Sequence, residues 1–439
     1  MPLANEINHA ATIAAVRRYV DQLFSASMSP SRCEVGVEIE LLVFGHGGAG
    51  KRRAVAAERT RAILASDPVL CVDGLVSFEP GGQLELRLTP RRSVAELLTD
   101  ADRLLRRVRA ALEPHGIGFA TLGVDPWRSV ADLGLQTPSA RYLAMERHFD
   151  AIGTAGRVMM RRTASLQVCV DLGRGEAGRS QWLAANMIGP SLAVAFTNRA
   201  HEGSDGTAET RTAIWHRVDP SRTGYDGHHV AADGMDDAYL RFALNAFAMP
   251  LPRRDDGPDS TPAPLTRFGA WLDQGGLRPD ASDIAHHFST LFPPVRPRGG
   301  YLEVRYVDAQ LERWTAVPVS VLSVLVYDRA ARELALEIVG RDPDRLGERW
   351  ARAAVSGEGD AELRSSAREL FAVAALRARA ARRGYLPPNA SELIEAYAHR
   401  HLGAGSAAGT RGLMSSRRPG VRAARWAAAP AANVTWLAR

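Results

Sequence analysis

Apolar positions divide the chain into an early region of mixed strand and helix character and a late helical region. Apolar residues recur at helical spacing over residues 8–27 and 94–112, which predicts a helix in each. Residues 53–65 and 181–196 also have helical character, and residues 317–401 are almost wholly helical in pattern. Alternating or continuous apolar runs between turn signals predict strands in residues 33–44, 69–78, 83–88, 116–126, 158–172 and 301–308.

The order of these elements indicates the fold class. Strands concentrate in the first part of the chain and helices accumulate later, which favours an α+β fold with a mostly antiparallel sheet backed by helices on one face. Residues 197–227 are rich in loop signals, and the Pro-, Gly- and Asp-rich residues 251–264 predict a loop or linker. We find no internal repeat.

Composition excludes several classes of protein. The 439 residues are 46% hydrophobic and 24% charged, enough for a large core, and no apolar run reaches 18 residues, so no membrane-spanning helix is expected. The N-terminus lacks the pattern of a secretory signal. Three cysteines (Cys33, Cys71 and Cys169) without C-x-x-C spacing indicate neither a disulfide framework nor a cysteine zinc site, and Cys33 and Cys71 are expected to be buried. The prediction is a cytoplasmic protein.

The net positive charge of the chain comes from its C-terminal segment. Residues 403–439 contain six arginines and no acidic residue, and the remainder of the chain has 49 basic and 49 acidic residues. The charge therefore predicts a basic, disordered tail rather than a nucleic-acid-binding face. We expect neither nucleic acid nor membrane as a partner.

Carboxylates recur two residues apart, or beside a polar partner, on three predicted strands. Glu38 and Glu40 share one strand face, as do Gln83 and Glu85, and Glu303 shares a face with Arg305. Buried carboxylates need cations, and Mg²⁺ is the hard, oxygen-seeking ion that carboxylates and phosphates hold together. A solvated sheet face explains a single such pair better, but three segments with the same pattern favour a metal site.

Several of these segments together resemble a known family. They are VGVEIE, FEPGGQLELRLTP, TASLQVCVD, GTAETRTAIWHRVDPSRTG and STLFPPVRPRGGYLEVRYVDAQ. In this order they are similar to the bacterial and plant type of glutamate–cysteine ligase, over roughly residues 35–325. DPWR, RYLAMERHFD and FPPVRPRG place the chain nearest to the actinobacterial branch that makes γ-glutamylcysteine for ergothioneine synthesis.

The resemblance implies a fold, a reaction and a set of site residues. The fold is glutamine-synthetase-like, a curved antiparallel sheet forming a funnel backed by helices, in a single catalytic domain of residues 1–402. The reaction joins the γ-carboxylate of glutamate to the amine of cysteine through a γ-glutamyl phosphate, with ATP as co-substrate and Mg²⁺ as cofactor. Arg305 matches the catalytic arginine that faces the transferred phosphoryl group. Arg211, Trp215 and, more weakly, Arg222 match substrate-binding positions. The positions that match metal ligands are Glu38, Glu40, Glu79, Glu85, Gln167 and Glu303.

The acceptor amine is where this sequence departs from the family. Cys169 replaces the Asn that relatives have in V-Q-V-N, and strand parity places it on the face of Gln167, on the wall of the expected site. Arg87 follows Glu85 on the same face and adds a cation. Cysteine remains the favoured acceptor, and a γ-glutamyl ligase with a different amine acceptor is the alternative within the class.

A competing motif suggests a different class of protein. GHGGAGK, residues 45–51, has the G-x-x-x-x-G-K spacing of a P-loop, which would make the chain a nucleotide-binding protein using Lys51. Arg52 stands where the motif needs Ser or Thr, so a glycine-rich connection is the better interpretation. A non-catalytic relative is a further alternative, disfavoured because the carboxylate set is intact. The pairs His228–His229 and His286–His287 are expected at the surface or in loops, because adjacent residues rarely bind one ion.

Overall fold

The computed structural model describes residues 2–25, 33–48, 51–199, 209–231, 234–251, 265–273 and 279–403. The basic tail and most of the expected linker at residues 251–264 lie outside these ranges. Among the described residues, no helix is long and apolar enough to cross a membrane.

Among the described residues, eight strands form one sheet. They are β1 (Val35–His46), β2 (Arg52–Arg53), β3 (Val76–Phe78), β4 (Leu84–Arg91), β5 (Ile117–Ala120), β6 (Leu166–Asp171), β7 (Val295–Pro297) and β8 (Tyr301–Val304). The main path runs β3-β4-β1-β6-β8-β7, and β2 and β5 pair with the far end of β1. Every pairing is antiparallel.

Helices surround this sheet. The first nine are α1 (Pro2–Leu23), α2 (Ala57–Ala65), α3 (Val94–Leu112), α4 (Val130–Leu133), α5 (Ala140–Asp150), α6 (Ala155–Arg162), α7 (Gly175–Met187), α8 (Gly189–Ala195) and α9 (Arg211–His216). The others are α10 (Pro220–Thr223), α11 (Met235–Asn245), α12 (Phe268–Asp273), α13 (Ala281–Ser289), α14 (Ala316–Tyr327), α15 (Arg329–Val339), α16 (Leu346–Ser356), α17 (Ala361–Ala378) and α18 (Ala390–Leu402).

Residue alternation divides the sheet into two faces. In β1, Val37, Ile39 and Leu41 are at most 3% exposed, and they belong to the main core with the alternate apolar residues of β4, β6 and β8. The sheet contacts α3 through β1, β4 and β5, and α14 through β6. Burial of this face is the largest stabilising contribution of the sheet. The predicted α+β class, with an antiparallel sheet backed by helices, is confirmed.

Ser93 begins α3 by accepting a hydrogen bond from the backbone N–H of Glu96, and the predicted bounds 94–112 are confirmed. Other boundaries differ from the prediction. Residues 69–75 form turns rather than a strand, because the Asp67 carboxylate accepts from the N–H groups of Val69 and Leu70. Cys71 is consequently exposed, so its expected burial is wrong.

Two further segments change type. Residues 158–162 were expected in a strand but belong to α6, since a short apolar run does not distinguish strand from helix. The helix expected from residue 53 begins only at Ala57, because Arg52 and Arg53 pair with His46 and Gly45 of β1. The loop-rich residues 197–227 contain the two short helices α9 and α10.

Candidate active site

The polar face of the sheet carries the predicted carboxylates, and strand register brings them together. Glu40 lies opposite Glu85 across β1 and β4, and Glu38 lies opposite Arg87. On the other side of β1, Glu38 lies opposite Gln167 of β6. The Glu40 carboxylate accepts from the Gln167 side-chain amide at 3.0 Å and from the Ser165 backbone N–H at 2.7 Å. Three strands thus form one charged surface.

A tight turn between β3 and β4 delivers Glu79 to the same surface. The turn closes through hydrogen bonds between Glu79 and Gln83 and between Gly82 and Glu79, with Gly82 at φ +85°. The buried amide of Gln83 donates to the Met160 and Thr163 carbonyls of the α6–β6 connection. A Cβ on Gly81 would overlap the backbone of Arg161. This close packing explains why the turn needs the sequence EPGGQ.

The carboxylates at this end of the site lack full neutralisation. Burial, followed by repulsion from neighbouring carboxylates, raises the pKa of Glu38 to about 7 and that of Glu79 to about 8. Burial and the Glu40 carboxylate also raise the pKa of Glu85. Clustered buried oxygens with uncompensated charge are a donor set that fits a hard divalent cation. Within the described part of the chain, no three His, Cys, Asp or Glu side chains already form a ready metal-binding group.

Arginines dominate the opposite end. The Arg296 guanidinium contacts the two oxygens of Glu303 at 2.7 and 3.0 Å, Arg305 also bonds to Glu303, and Arg298 lies 3.5 Å away. Although burial opposes it, this surrounding positive charge lowers the pKa of Glu303 to about 2. Arg305 also donates to the Gln167 side-chain oxygen at 2.6 Å. The arginines outnumber the carboxylate they bind, so this end attracts anions.

Helix α9 brings a further arginine and an aromatic ring to the arginine end. Thr210 caps the helix by accepting from the Ala213 N–H at 3.1 Å. The Arg211 guanidinium lies 5.3 Å from the centre of the Trp215 ring, and that of Arg305 lies 5.8 Å from the same ring. Both residues of α9 are buried, so Arg211 presents a desolvated cation.

One cavity of about 400 Å³ connects the two ends. Its walls include most of the site residues expected from the sequence, namely Glu38, Glu40, Glu79, Glu85, Gln167, Arg211, Trp215, Glu303 and Arg305. Arg141, Arg296 and Arg298 also line it, and sequence reasoning gave them no role. A signal was present for two of them, since Arg296 and Arg298 alternate in VRPRG on the strand region that pairs with Glu303.

Two expected site residues are not among those lining this cavity. Arg222 is fully buried: it binds Asp219 at 3.0 Å, the Thr290 carbonyl at 2.7 Å and the Phe247 carbonyl. These hydrogen bonds are made within the protein, and a role for Arg222 in binding substrate stays a prediction that this geometry does not support. Cys169 lies opposite Glu303 in the β6–β8 register but is not among the residues that line the cavity, so its placement on the wall of the site stays a prediction.

The remaining motifs also resolve structurally. The described residues of the glycine-rich segment lie between β1 and β2, where the Gly47 N–H donates to the Lys51 carbonyl at 2.7 Å, and Lys51 is exposed. A P-loop leads directly into a helix, so this geometry does not favour one. The expectation that the paired histidines lie at the surface or in loops is wrong for His287, which is buried in α13 and stacked on Phe268 at 3.8 Å. His229 is also buried, but it lies in the connection between α10 and α11, in agreement with the loop alternative.

Comparison with known proteins agrees with the resemblance stated above. The family described as glutamate–cysteine ligase family 2 (GCS2) matches residues 34–407. The chain is 34% identical to glutamate–cysteine ligase EgtA of Mycolicibacterium smegmatis, covering 78% of this chain and 80% of that protein. It is 33% identical to EgtA of Mycobacterium tuberculosis, over 69% and 70% of the two chains.

More distant relatives include the chloroplastic glutamate–cysteine ligase of Arabidopsis thaliana, which is 29% identical over 60% of this chain and 51% of that protein. A crystal structure of the complex between the prokaryotic ubiquitin-like protein Pup and its ligase PafA matches with a TM-score of 0.39 and 12% identity, covering 87% of this chain and 67% of that one. The likeness to the PafA complex is too low to support an argument. The family match and the relatives that share a third of their residues over most of the chain are sufficient: this protein belongs to glutamate–cysteine ligase family 2.

Proposed function

We propose that this protein is an ATP-dependent ligase that joins the γ-carboxylate of glutamate to the amine of cysteine and so supplies γ-glutamylcysteine for ergothioneine synthesis. The observation that carries the proposal is the single cavity in which a carboxylate end meets an arginine end. A reaction between a carboxylate, a nucleoside triphosphate and an amine needs negative groups that hold Mg²⁺ and positive groups that hold the anionic parts of the substrates. The family of the chain is a family of ATP-using ligases.

The carboxylate end is the proposed site for Mg²⁺. Glu38, Glu79 and Glu85 would hold the ion together with Glu40, because the four carboxylates line one cavity and repulsion among neighbouring carboxylates contributes to the raised pKa values of Glu38 and Glu79. Bound Mg²⁺ neutralises phosphate oxygens and thereby favours transfer of the γ-phosphoryl group. Gln167 contributes indirectly, since its amide holds Glu40 and its oxygen holds Arg305.

The arginine end is the proposed site for the anionic parts of the substrates. Arg305 is positioned by Glu303 and Gln167, and it would stabilise charge on the phosphoryl group during transfer. Arg211 would hold the α-carboxylate of glutamate as a bidentate partner, with Trp215 limiting its movement. The assignment of Glu303 as a metal ligand stays a prediction, because its oxygens bind arginines in the structure.

This arrangement needs no nucleophile from the protein. The γ-carboxylate oxygen of glutamate attacks the γ-phosphorus of ATP, the bond to the bridging oxygen breaks, and ADP leaves. The amine nitrogen of cysteine then attacks the acyl carbon of the γ-glutamyl phosphate, and inorganic phosphate leaves as the amine loses a proton. The chain's contribution is to align the reactants and to place cations beside the developing negative charge.

Two further expectations belong to this proposal. We propose that residues 1–402 form a single catalytic domain, since every residue assigned to the site precedes residue 306. We also propose that the enzyme works in the cytoplasm, where ATP and Mg²⁺ are abundant and the thiol of the acceptor stays reduced.

The test is a comparison of amine acceptors. The purified full-length chain is supplied with ATP, Mg²⁺ and glutamate, and ADP release is measured with cysteine and with a panel of other amines. We expect cysteine to have the highest kcat/KM. Another amine at the top would replace cysteine as the acceptor and leave the ligase chemistry intact. Absence of glutamate-dependent ADP release with every amine would refute the enzymatic proposal.

A further inference from the structure

Arg87 lines the cavity at its carboxylate end. It follows Glu85 by two residues on β4, so both side chains project from the same face, and it lies opposite Glu38 on β1. Its Nη2 atom is 2.6 Å from a Glu85 oxygen, and its Nε atom is 3.8 Å from a Glu38 oxygen. One guanidinium therefore contacts two of the carboxylates proposed to hold Mg²⁺.

The two side chains of the Arg87–Glu85 ion pair differ in how freely they can move. The Glu85 side chain is 2% exposed and its carboxylate also accepts from the Ser77 hydroxyl, so it is fixed by the fold. The Arg87 side chain is 50% exposed, and its long flexible stem can move the guanidinium toward solvent. Removing the guanidinium would leave the carboxylates in place and accessible.

A guanidinium and a divalent cation compete for these oxygens. The oxygens that face Arg87 are those an incoming ion needs, and a positive group beside them raises the free energy of a second cation at the same position. Arginine keeps its charge throughout the working pH range, so the guanidinium competes as a permanent cation. The competition weakens when a phosphate gives the guanidinium another anionic partner.

We propose that Arg87 is a built-in counter-ion that specifies how the metal enters the site. It offsets part of the charge of Glu38 and Glu85 when no divalent cation is present, and it must release them before one binds. Arg87 thereby disfavours the free ion and favours the metal–nucleotide complex, whose phosphates accept the released guanidinium. This inference rests on the proposed function, because it takes Glu38 and Glu85 as metal ligands.

Metal binding measured directly tests the inference. Mn²⁺, which reports on Mg²⁺ sites by electron paramagnetic resonance, is titrated into the full chain as wild type, Arg87→Ser, Arg87→Lys and Arg91→Ser. Arg91 is a matched control, since it lies on the same strand but pairs with Asp100 outside the cavity. We expect Arg87→Ser to bind free Mn²⁺ about three- to tenfold more tightly than wild type, as loss of a competing surface ion pair allows. Arg87→Lys should bind at or near wild-type affinity, and Arg91→Ser should be unchanged.

The same titration with a non-hydrolysable ATP analogue gives the second readout. The tighter Mn²⁺ binding of Arg87→Ser should then disappear or reverse, because the variant has lost a partner for the phosphates of the analogue. Equal affinity of Arg87→Ser and wild type for free Mn²⁺, or weaker binding by the variant, would overturn the inference. Arg87→Gln serves as the same test if circular dichroism shows that the Ser variant is not folded.

Glu85→Gln separates this inference from the proposed function. If this variant weakens Mn²⁺ binding while Arg87→Ser leaves it unchanged, the metal site stands and only the role of Arg87 is wrong. If Glu85→Gln binds Mn²⁺ as tightly as wild type, the carboxylate metal site itself is wrong. Weaker Mn²⁺ binding by Glu85→Gln together with tighter Mn²⁺ binding by Arg87→Ser supports both the metal site and the role of Arg87.

Discussion

Glu38→Gln should stabilise the metal-free protein at pH 8 although it removes a charged side chain from the site. The pKa of Glu38 is raised from 4.5 to about 7 by burial and by the carboxylates of Glu85 and Glu303. The folded protein therefore holds this proton more tightly than the unfolded chain does. Stability from this group is fully present below pH 4.5 and is lost as the pH rises through about 7. The amide of Gln does not ionise, so the Glu38→Gln variant does not lose this stability as the pH rises.

The magnitude follows from the pKa interval. The interval between 4.5 and about 7 corresponds to about 3 kcal/mol of unfolding free energy as an upper bound. The Glu38 side chain is 27% exposed, and Arg87 and Arg305 offset part of the repulsion, so solvent and neighbours reduce the effect. We expect Glu38→Gln to be about 1–2 kcal/mol more stable than wild type at pH 8 without metal. At pH 5, where the carboxyl group has begun to ionise only in the unfolded chain, the difference should fall below about 1 kcal/mol.

Mg²⁺ with a non-hydrolysable ATP analogue should reverse the order of stability. A ligand at one hundred times its Kd stabilises the folded state by about 2.7 kcal/mol. Wild type gains this amount, whereas Glu38→Gln loses most of it together with a metal ligand. The variant should therefore be the less stable protein under these conditions, and its ATP turnover should be nearly abolished.

Urea unfolding at pH 5 and pH 8, with and without Mg²⁺ and the nucleotide analogue, measures all four differences. Glu337→Gln is the control, because Glu337 is exposed on α15 away from the cavity. A variant that is less stable than wild type at pH 8 without metal would refute the charge-repulsion reasoning. An equal stabilisation of variant and wild type by Mg²⁺ and nucleotide would refute Glu38 as a ligand.

Four other predictions follow from the site and its surroundings. Arg305→Ala should lower kcat by about a hundredfold or more with little change in the urea midpoint, as loss of a transition-state donor does; steady-state kinetics measure this. Lys51→Ala should keep kcat within about threefold of wild type by the same assay, because Lys51 is exposed and is not among the residues that line the cavity. A loss of about a thousandfold would restore the P-loop alternative. Arg222→Ala should cost about 3–5 kcal/mol of unfolding free energy in urea titrations, since it leaves Asp219 buried without its arginine. A chain ending at Gly403 should keep the melting temperature and kcat of the full chain, and a large fall in either, seen by calorimetry or ADP release, would show that the domain extends further.

Arg222 illustrates what residue identity does not reveal. In the sequence it stands in DPSRTG beside a segment that matches substrate-binding positions. In the structure its guanidinium ties together Asp219, Thr290 and Phe247, which are far apart along the chain. An arginine that binds substrate and an arginine that binds carbonyl groups look alike until the partners are known. The same reason explains the wrong placement of His287 and the unexpected burial of His229, because each depends on a ring from a packed helix, Phe268 for His287 and Phe242 for His229.

The arginine end of the site depended on the tertiary structure as well. Arg296 and Arg298 reach Glu303 only because β7 pairs with β8 in a particular register. Register is set by the turn and the packing of the whole sheet, so single-sequence spacing does not supply it. Strand parity predicts which face of the sheet a residue lies on, but not whether the residue lines the cavity. Cys169 shows this, because it is not among the lining residues.

The sequence by itself determined the class of the fold and the carboxylate half of the site. Alternation along a strand is a local property of the backbone, so E-x-E and L-E-L were sufficient to put the Glu38, Glu40 and Glu85 carboxylates on one face and the core on the other. Helix α3 was likewise determined by its periodicity and its Ser93 cap. The tertiary structure alone decided which carboxylates are neutralised. Glu303 and Glu85 are equally buried glutamates on strands, but three arginines surround the first and one half-exposed arginine pairs with the second, and that difference gives the cavity its two ends.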